Sequence, residues 1–104
     1  DNAGAARVVL GTQSRRPDDL VDLAVLGCVF RSRTGIDTAA GGAVLGHPAA
    51  ALVWLAEALA ATGEAIEPGS IVLSGGLTAS VLLEAGEVVT AEFDGLGSIG
   101  VLCE

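Results

Sequence analysis

Lysine is missing from this sequence altogether, and the five basic side chains are all arginines, four of them Arg15, Arg16, Arg31 and Arg33. Against them stand thirteen acids, for a formal net charge of −8. A phosphate backbone is repelled by that balance, so nucleic acid is not an expected partner. The acidic excess reads as solvated surface, and a small anionic substrate would need a local cation or a metal to counter it. No apolar run approaches the length of a bilayer crossing and no charged-then-apolar leader opens the chain, so no membrane partner is expected either. Cysteine is scarce. Cys28 and Cys103 sit inside the apolar runs LGCVF and VLC, which predicts buried free thiols rather than a disulfide or a metal pair, and suits a reducing cytoplasm. Repeats, low-complexity tracts and linkers are absent, so residues 1–104 are read as a single domain. The opening Asp1-Asn2, with no Met, reads as the interior of something longer.

What the chain does have is apolar surface. Apolar residues make up 51% of it, charged ones 17%, and the mean hydropathy is +0.63. Size scaling allows a folded surface of roughly 5,300 Å² for one small domain. That is too little core to hide so much apolar material. Burial against a second subunit, in an oligomer, or against a missing part of the same polypeptide is therefore expected.

The centre of the sequence is Gly41 to Gly76, a glycine entry, a helix, a turn and a buried strand. Pro48 fits a first helical turn and Gly63 is placed to close the helix in a left-handed conformation. Between them Leu52, Leu55, Ala56, Leu59 and Ala60 recur at helical spacing, while Val53 and Trp54 widen the stripe. The helix is expected to be covered on more than one side, with Trp54 in the core. His47 precedes Pro48, where a side-chain acceptor bonds a free N–H, so it reads as a cap rather than an acid or base. Glu67-Pro68-Gly69-Ser70 makes a turn and Ile71–Leu73 a strand. Ser74-Gly75-Gly76-Leu77-Thr78 then places hydroxyls and bare backbone where a small ligand would meet the chain.

The remainder alternates as short strands. Arg7–Leu10 reads as one, stopped by Gly11, and Thr12–Asp19 as an exposed loop in which Asp18 and Asp19 offset the arginines. Leu20–Phe30 and Ile36–Ala39 make a hairpin with a polar tip. Val81–Leu83 and Val88–Phe93 make a second around Glu84–Glu87, and Ser98–Cys103 closes the chain after a turn at Asp94–Gly97. The fold class is α+β: a β-rich mixed barrel or sandwich of short strands with one main helix.

Several of these motifs, in this order, resemble the C-terminal half of the 2-keto-4-pentenoate hydratase and 4-oxalocrotonate decarboxylase family, within the fumarylacetoacetate hydrolase superfamily. They are Asp1-Asn2-Ala3 before a strand ending in Leu10-Gly11, Ala43 to Ala51 (AVLGHPAAA), Val53–Ala56 (VWLA), Pro68 to Gly75 (PGSIVLSG) with Leu77-Thr78, and Ala91–Phe93 with Leu96–Ser98. The resemblance covers nearly the whole chain, and family members are more than twice as long. It implies a soluble lyase of aromatic catabolism that uses Mg²⁺ or Mn²⁺ to hold a 2-keto or 2-hydroxydienoate acid. Such an enzyme hydrates 2-hydroxypenta-2,4-dienoate or decarboxylates an oxalocrotonate, the ion stabilising a dienolate. It also implies that the metal-binding glutamates and a catalytic lysine lie in the half not present here, so this chain supplies pocket walls and no catalytic or metal-ligating residue. Gly4 departs from the Ser usual in the family after Asp-Asn-Ala.

The substrate-binding residues carried over are Asn2, from the family's DNA motif, and Ser74, Gly75 and Thr78, from its LSGxLT segment. The plain alternatives are that Asn2 caps a turn and Ser74 satisfies a buried backbone group. Three classes of function stay open: part of a hydratase or decarboxylase completed by its other half, a truncated homologue serving as a small-molecule binding or accessory subunit, and a structural oligomer-forming domain.

Overall fold

Two antiparallel hairpins lying edge to edge set the architecture. A computed structural model describes residues 4–104; the expectations that fall on Asp1 and Asn2 lie outside the described residues. Strands β1 (Gly27–Ser32) and β2 (Gly35–Ala40) pair from Gly27↔Ala40 to Ser32↔Gly35. Strands β3 (Val88–Phe93) and β4 (Gly97–Leu102) pair from Val88↔Leu102 to Phe93↔Gly97. β1 also pairs with β3, giving one antiparallel sheet of order β2-β1-β3-β4. The first hairpin turns through Arg33-Thr34, where the Ser32 and Thr34 hydroxyls share a 2.8 Å hydrogen bond. The second turns on Gly95, at φ 70, with the Leu96 N–H donating to the Phe93 carbonyl. With one main helix among the described residues the molecule is α+β, and their strands form one open sheet with edges at β2 and β4.

The helix, α1 (Pro48–Ala60), begins and ends as its sequence dictates. His47 is extended and its Nδ1 accepts a 3.0 Å hydrogen bond from the Ala49 N–H, the cap expected of it. At the other end the Glu64 N–H reaches the Leu59 carbonyl and the Gly63 N–H the Ala60 carbonyl, with Gly63 at φ 77. That pair of bonds is a Schellman closure, which the sequence Thr62-Gly63 permits because glycine adopts the left-handed region freely.

Between β2 and α1 the chain turns through a short 3-10 segment, Gly41–Ala43, pressed against the lead-in to β1. The Gly41 N–H donates to the Leu26 carbonyl and the Gly42 N–H to the Ala24 carbonyl. A side chain at Gly41 would collide with the Leu23 carbonyl oxygen, so only glycine permits this approach. Asp22 shapes the facing loop, its carboxylate accepting from the Ala24 N–H at 2.9 Å.

The core is small. Leu26, Cys28, Val44 and Val89 are its buried apolar residues, and the accessible surface is 7595 Å². Scaling gives roughly 5,300 Å² for a chain of this mass. The radius of gyration is 15.0 Å, against about 13 Å for a well-packed domain of this length. Several expectations are corrected by the same cause. Residues 7–10, 71–73 and 81–83 are not strands, because no described segment pairs with them, and Leu82 is 85% exposed. The partner of Val88–Phe93 in the second hairpin is Gly97–Leu102 rather than 81–83. α1 buries none of its residues, and Trp54, expected in the core, is 65% exposed.

The expectation about apolar run length also needs correction. Gly41–Ala60 reaches 20 residues of membrane-like hydropathy, with 6% of its most apolar window buried. Only the 13 residues of α1 in that stretch are α-helical, about 20 Å of rise where a hydrocarbon core is about 30 Å thick. Leu45 and Gly46, at φ 51 and 81, break the path before the helix begins. A helix whose one charged side chain is Glu57 calls for cover, and the rest of the exposed apolar surface makes the same demand.

Candidate functional site

The period-2 alternation of β1 and β3 puts Cys28, Phe30, Ala91 and Phe93 on one face of the sheet. The register aligns them directly, Cys28 opposite Phe93 and Phe30 opposite Ala91. They form the floor of a cavity of about 420 Å³. Its walls come from the lead-in residues Leu23 and Leu26, from Gly41, Val44 and Pro48 at the helix entry, and from Leu96 in the β3–β4 turn. The remaining wall is the segment after residues 71–73, contributing Ser74, Gly75, Leu77 and Thr78.

Three of the four candidate residues, Ser74, Gly75 and Thr78, are thus brought together on one cavity. Asn2 lies outside the described residues. Gly75 sits at φ 126, a conformation that side-chain-bearing residues rarely adopt, and a Cβ there would face Val44 Cγ1 at 3.7 Å. The glycine therefore serves the backbone path more than it avoids a clash. The cavity is apolar apart from two hydroxyls, the exposed backbone beside them and the Cys28 thiol. Burial pushes that thiol's pKa up, so it stays protonated and is a poor nucleophile. Cys103 is also a free thiol, half-buried.

The floor was absent from the sequence candidates. The signal for it was present, since alternation along GCVFRS and VVTAEF would have placed Cys28, Phe30, Ala91 and Phe93 on a common face. What the alternation lacks is the pairing order that joins the two strands.

His47 stands outside the cavity. Its Nδ1 is used as the helix cap, which leaves the proton on Nε2, 3.4 Å from Asp22 Oδ1. The imidazole ties the helix start to the loop before β1, a structural link between two elements that wall the cavity. Away from the cavity lining, Arg33 bridges the tip of the first hairpin to the 84–87 turn, pairing with Glu87 and lying 3.6 Å from Glu84. Among the described residues no three of His, Cys, Asp and Glu converge as metal ligands do.

The described residues thus bring two hydroxyls and the backbone at Gly75 to the edge of an apolar cavity beside the helix entry. No family model matches the chain. Its sequence is homologous along nearly its whole length to 4-oxalocrotonate decarboxylases and 2-keto-4-pentenoate hydratases. A 4-oxalocrotonate decarboxylase of Pseudomonas putida is 39% identical over 100 residues, 95% of this chain and 38% of that protein. A 2-keto-4-pentenoate hydratase of Paraburkholderia xenovorans is 37% identical over 95% of this chain and 37% of its own length. The structure of the 4-oxalocrotonate decarboxylase from Pseudomonas putida G7 with magnesium and adipate superimposes with a TM-score of 0.75 at 39% identity, over 81% of this chain and 32% of that one. The same enzyme is known with calcium and acetate. The chain spans little more than a third of the length of the relatives it matches.

Proposed function

We propose that this chain is one wall of the active-site pocket of a hydratase or decarboxylase acting on 2-hydroxypenta-2,4-dienoate or 4-oxalocrotonate type acids in aromatic catabolism. The assembly works in the cytoplasm as an oligomer. The observation that carries the reading is the convergence of Ser74, Gly75 and Thr78 on one cavity, in a chain homologous over 95% of its length to enzymes of that chemistry. The Ser74 and Thr78 hydroxyls and the backbone at Gly75 bind the polar oxygens of the acid, and Asn2 contributes a fourth contact. Cys28, Phe30, Ala91 and Phe93 hold the unsaturated carbon chain and exclude water from it.

The divalent ion of such an enzyme, Mg²⁺ or Mn²⁺, polarises the keto acid when bound. The described residues of this chain do not fit it, since they offer no convergent set of carboxylates and the sequence has no lysine to serve as a base. Ligands and proton-transfer groups belong to the rest of the assembly, which lies on the missing half of the polypeptide or on a partner subunit. The lack of a ligand cluster among the described residues also favours a second reading, a non-catalytic homologue that binds small acids as an accessory subunit.

The test mixes the chain with the portion of the Pseudomonas putida decarboxylase outside the matched residues, in the presence of Mg²⁺, and follows loss of the dienoate ultraviolet absorbance. Turnover by the mixture and none by the chain alone is the expected result. Binding of the acid without turnover selects the accessory reading, and turnover by the chain alone refutes the assignment of its role.

A further inference from the structure

Large and small side chains alternate across the cavity floor. Cys28 stands opposite Phe93 and Phe30 opposite Ala91, so the two rings occupy one diagonal of the floor and the two small residues the other. A sheet face arranged that way carries a low strip between its aromatic corners, shaped for a flat, unbranched carbon chain. Charge on that face has one sign. The pairing of β1 with β2 sets Asp37 opposite Phe30, on the floor's side of the sheet, about 5 Å away between Cα atoms. Arg31 and Glu92 alternate onto the reverse side. Among the described residues, no side chain lining the cavity is charged.

We infer that this floor selects a 2-keto acid whose far end is uncharged, a monocarboxylate over a dicarboxylate, with Ala91 and Asp37 as the specificity-determining residues. The inference rests on the reading above, in which Ser74, Gly75 and Thr78 take the oxygens of the keto acid and its tail runs over the floor. A second carboxylate at the tip of that tail would exchange water for an apolar surface that offers it no cation, which is the larger cost. Asp37 at the rim adds repulsion, the smaller effect because its carboxylate is exposed and screened. Ala91 acts through size, since a larger side chain there fills the strip between Phe30 and Phe93 whatever the charge of the ligand.

Two probes that differ only in the carboxylate replacing a terminal methyl, 2-oxohexanoate and 2-oxohexanedioate, test this. Each is titrated into the isotopically labelled 104-residue chain, and the NMR shifts of the Gly75, Thr78 and Ala91 amides report occupancy. The monoacid should bind at least about tenfold more tightly than the diacid. Asp37→Arg, at an exposed position on the edge strand, should narrow that ratio by about threefold or more. Asp18→Arg, the same change of charge in the exposed 17–19 turn, should leave it within about twofold. Ala91→Val, which suits a strand, should weaken both acids by about fivefold or more and preserve their ratio. Equal or tighter binding of the diacid by the unaltered chain overturns the inference and leaves the functional reading standing, since both probes are 2-keto acids. An unchanged ratio in the Asp37 variant overturns the part assigned to Asp37. Where neither acid binds the lone chain, the titration is repeated with the complementary portion of the Pseudomonas putida decarboxylase and Mg²⁺, and silence there as well overturns both the inference and the reading beneath it.

Discussion

The paired sheet and the segments that flank it are built from the same materials and meet opposite fates. β3 and residues 71–73 are both short, β-branched and apolar, yet Val89 is buried and Ile71 lies open to solvent. Composition does not separate them. What separates them is whether a partner strand exists within these residues: β1 and β4 flank β3 on both sides, while nothing described pairs with 7–10, 71–73 or 81–83. Strand propensity is a demand for neighbours, met or unmet elsewhere in the chain.

The sharpest way to break this comparison is at Gly41, where the paired half closes on itself. Gly41→Ala drives a Cβ into the Leu23 carbonyl and should cost about 3 kcal/mol or more in denaturant unfolding. A loss under about 0.5 kcal/mol would show that the lead-in loop is not packed as described. Next in size, Val89→Ala should cost about 2 kcal/mol, whereas Val8→Ala should change the isolated chain by less than about 0.5 kcal/mol. With the complementary portion bound, Val8→Ala should become costly as well, and if it does not, the flanking segments are truly surface.

Removing the cap with His47→Ala should cost about 1 kcal/mol, while His47→Asn, which keeps an acceptor, should be nearly neutral and leave turnover of the assembly unchanged. A hundredfold loss of kcat in the Asn variant would make His47 more than a cap. The smallest effect concerns Cys28. Burial raises its folded pKa, so the unfolded chain releases the thiol proton first as pH rises. Stability contributed by the protonated thiol is complete below the ordinary thiol range and declines as pH climbs through it toward the folded value. Cys28→Ala should flatten that alkaline slope, and thiol reagents should modify half-buried Cys103 before Cys28.

Local signals made much of this legible in advance. His47, Pro48 and Gly63 fixed both ends of α1, and Pro68-Gly69 fixed its turn, with the Ser70 N–H bonded to the Glu67 carbonyl and Gly69 at φ 84. The hairpin over Leu20–Phe30 and Ile36–Ala39 was found at its turn, which is a short-range signal, but its first strand begins only at Gly27, and 20–26 is a non-strand lead-in. The second hairpin was mispaired because Glu84–Glu87 and Asp94–Gly97 are both competent turns flanked by apolar runs. Only the sheet register chooses between them. Of the cavity lining, Ser74, Gly75 and Thr78 were named in advance through their position after a buried-looking strand and their motif. The cavity floor was missed because it depends on β1 lying beside β3, a contact between residues some sixty positions apart.

The unpaired segments carry a practical corollary for handling the polypeptide. Bare strand edges and apolar stretches such as 81–83 are templates for intermolecular stacking, and acidic repulsion is the chief brake on it. Yield and shelf life of the lone chain should therefore worsen with added salt, and co-expression with its complement should rescue both.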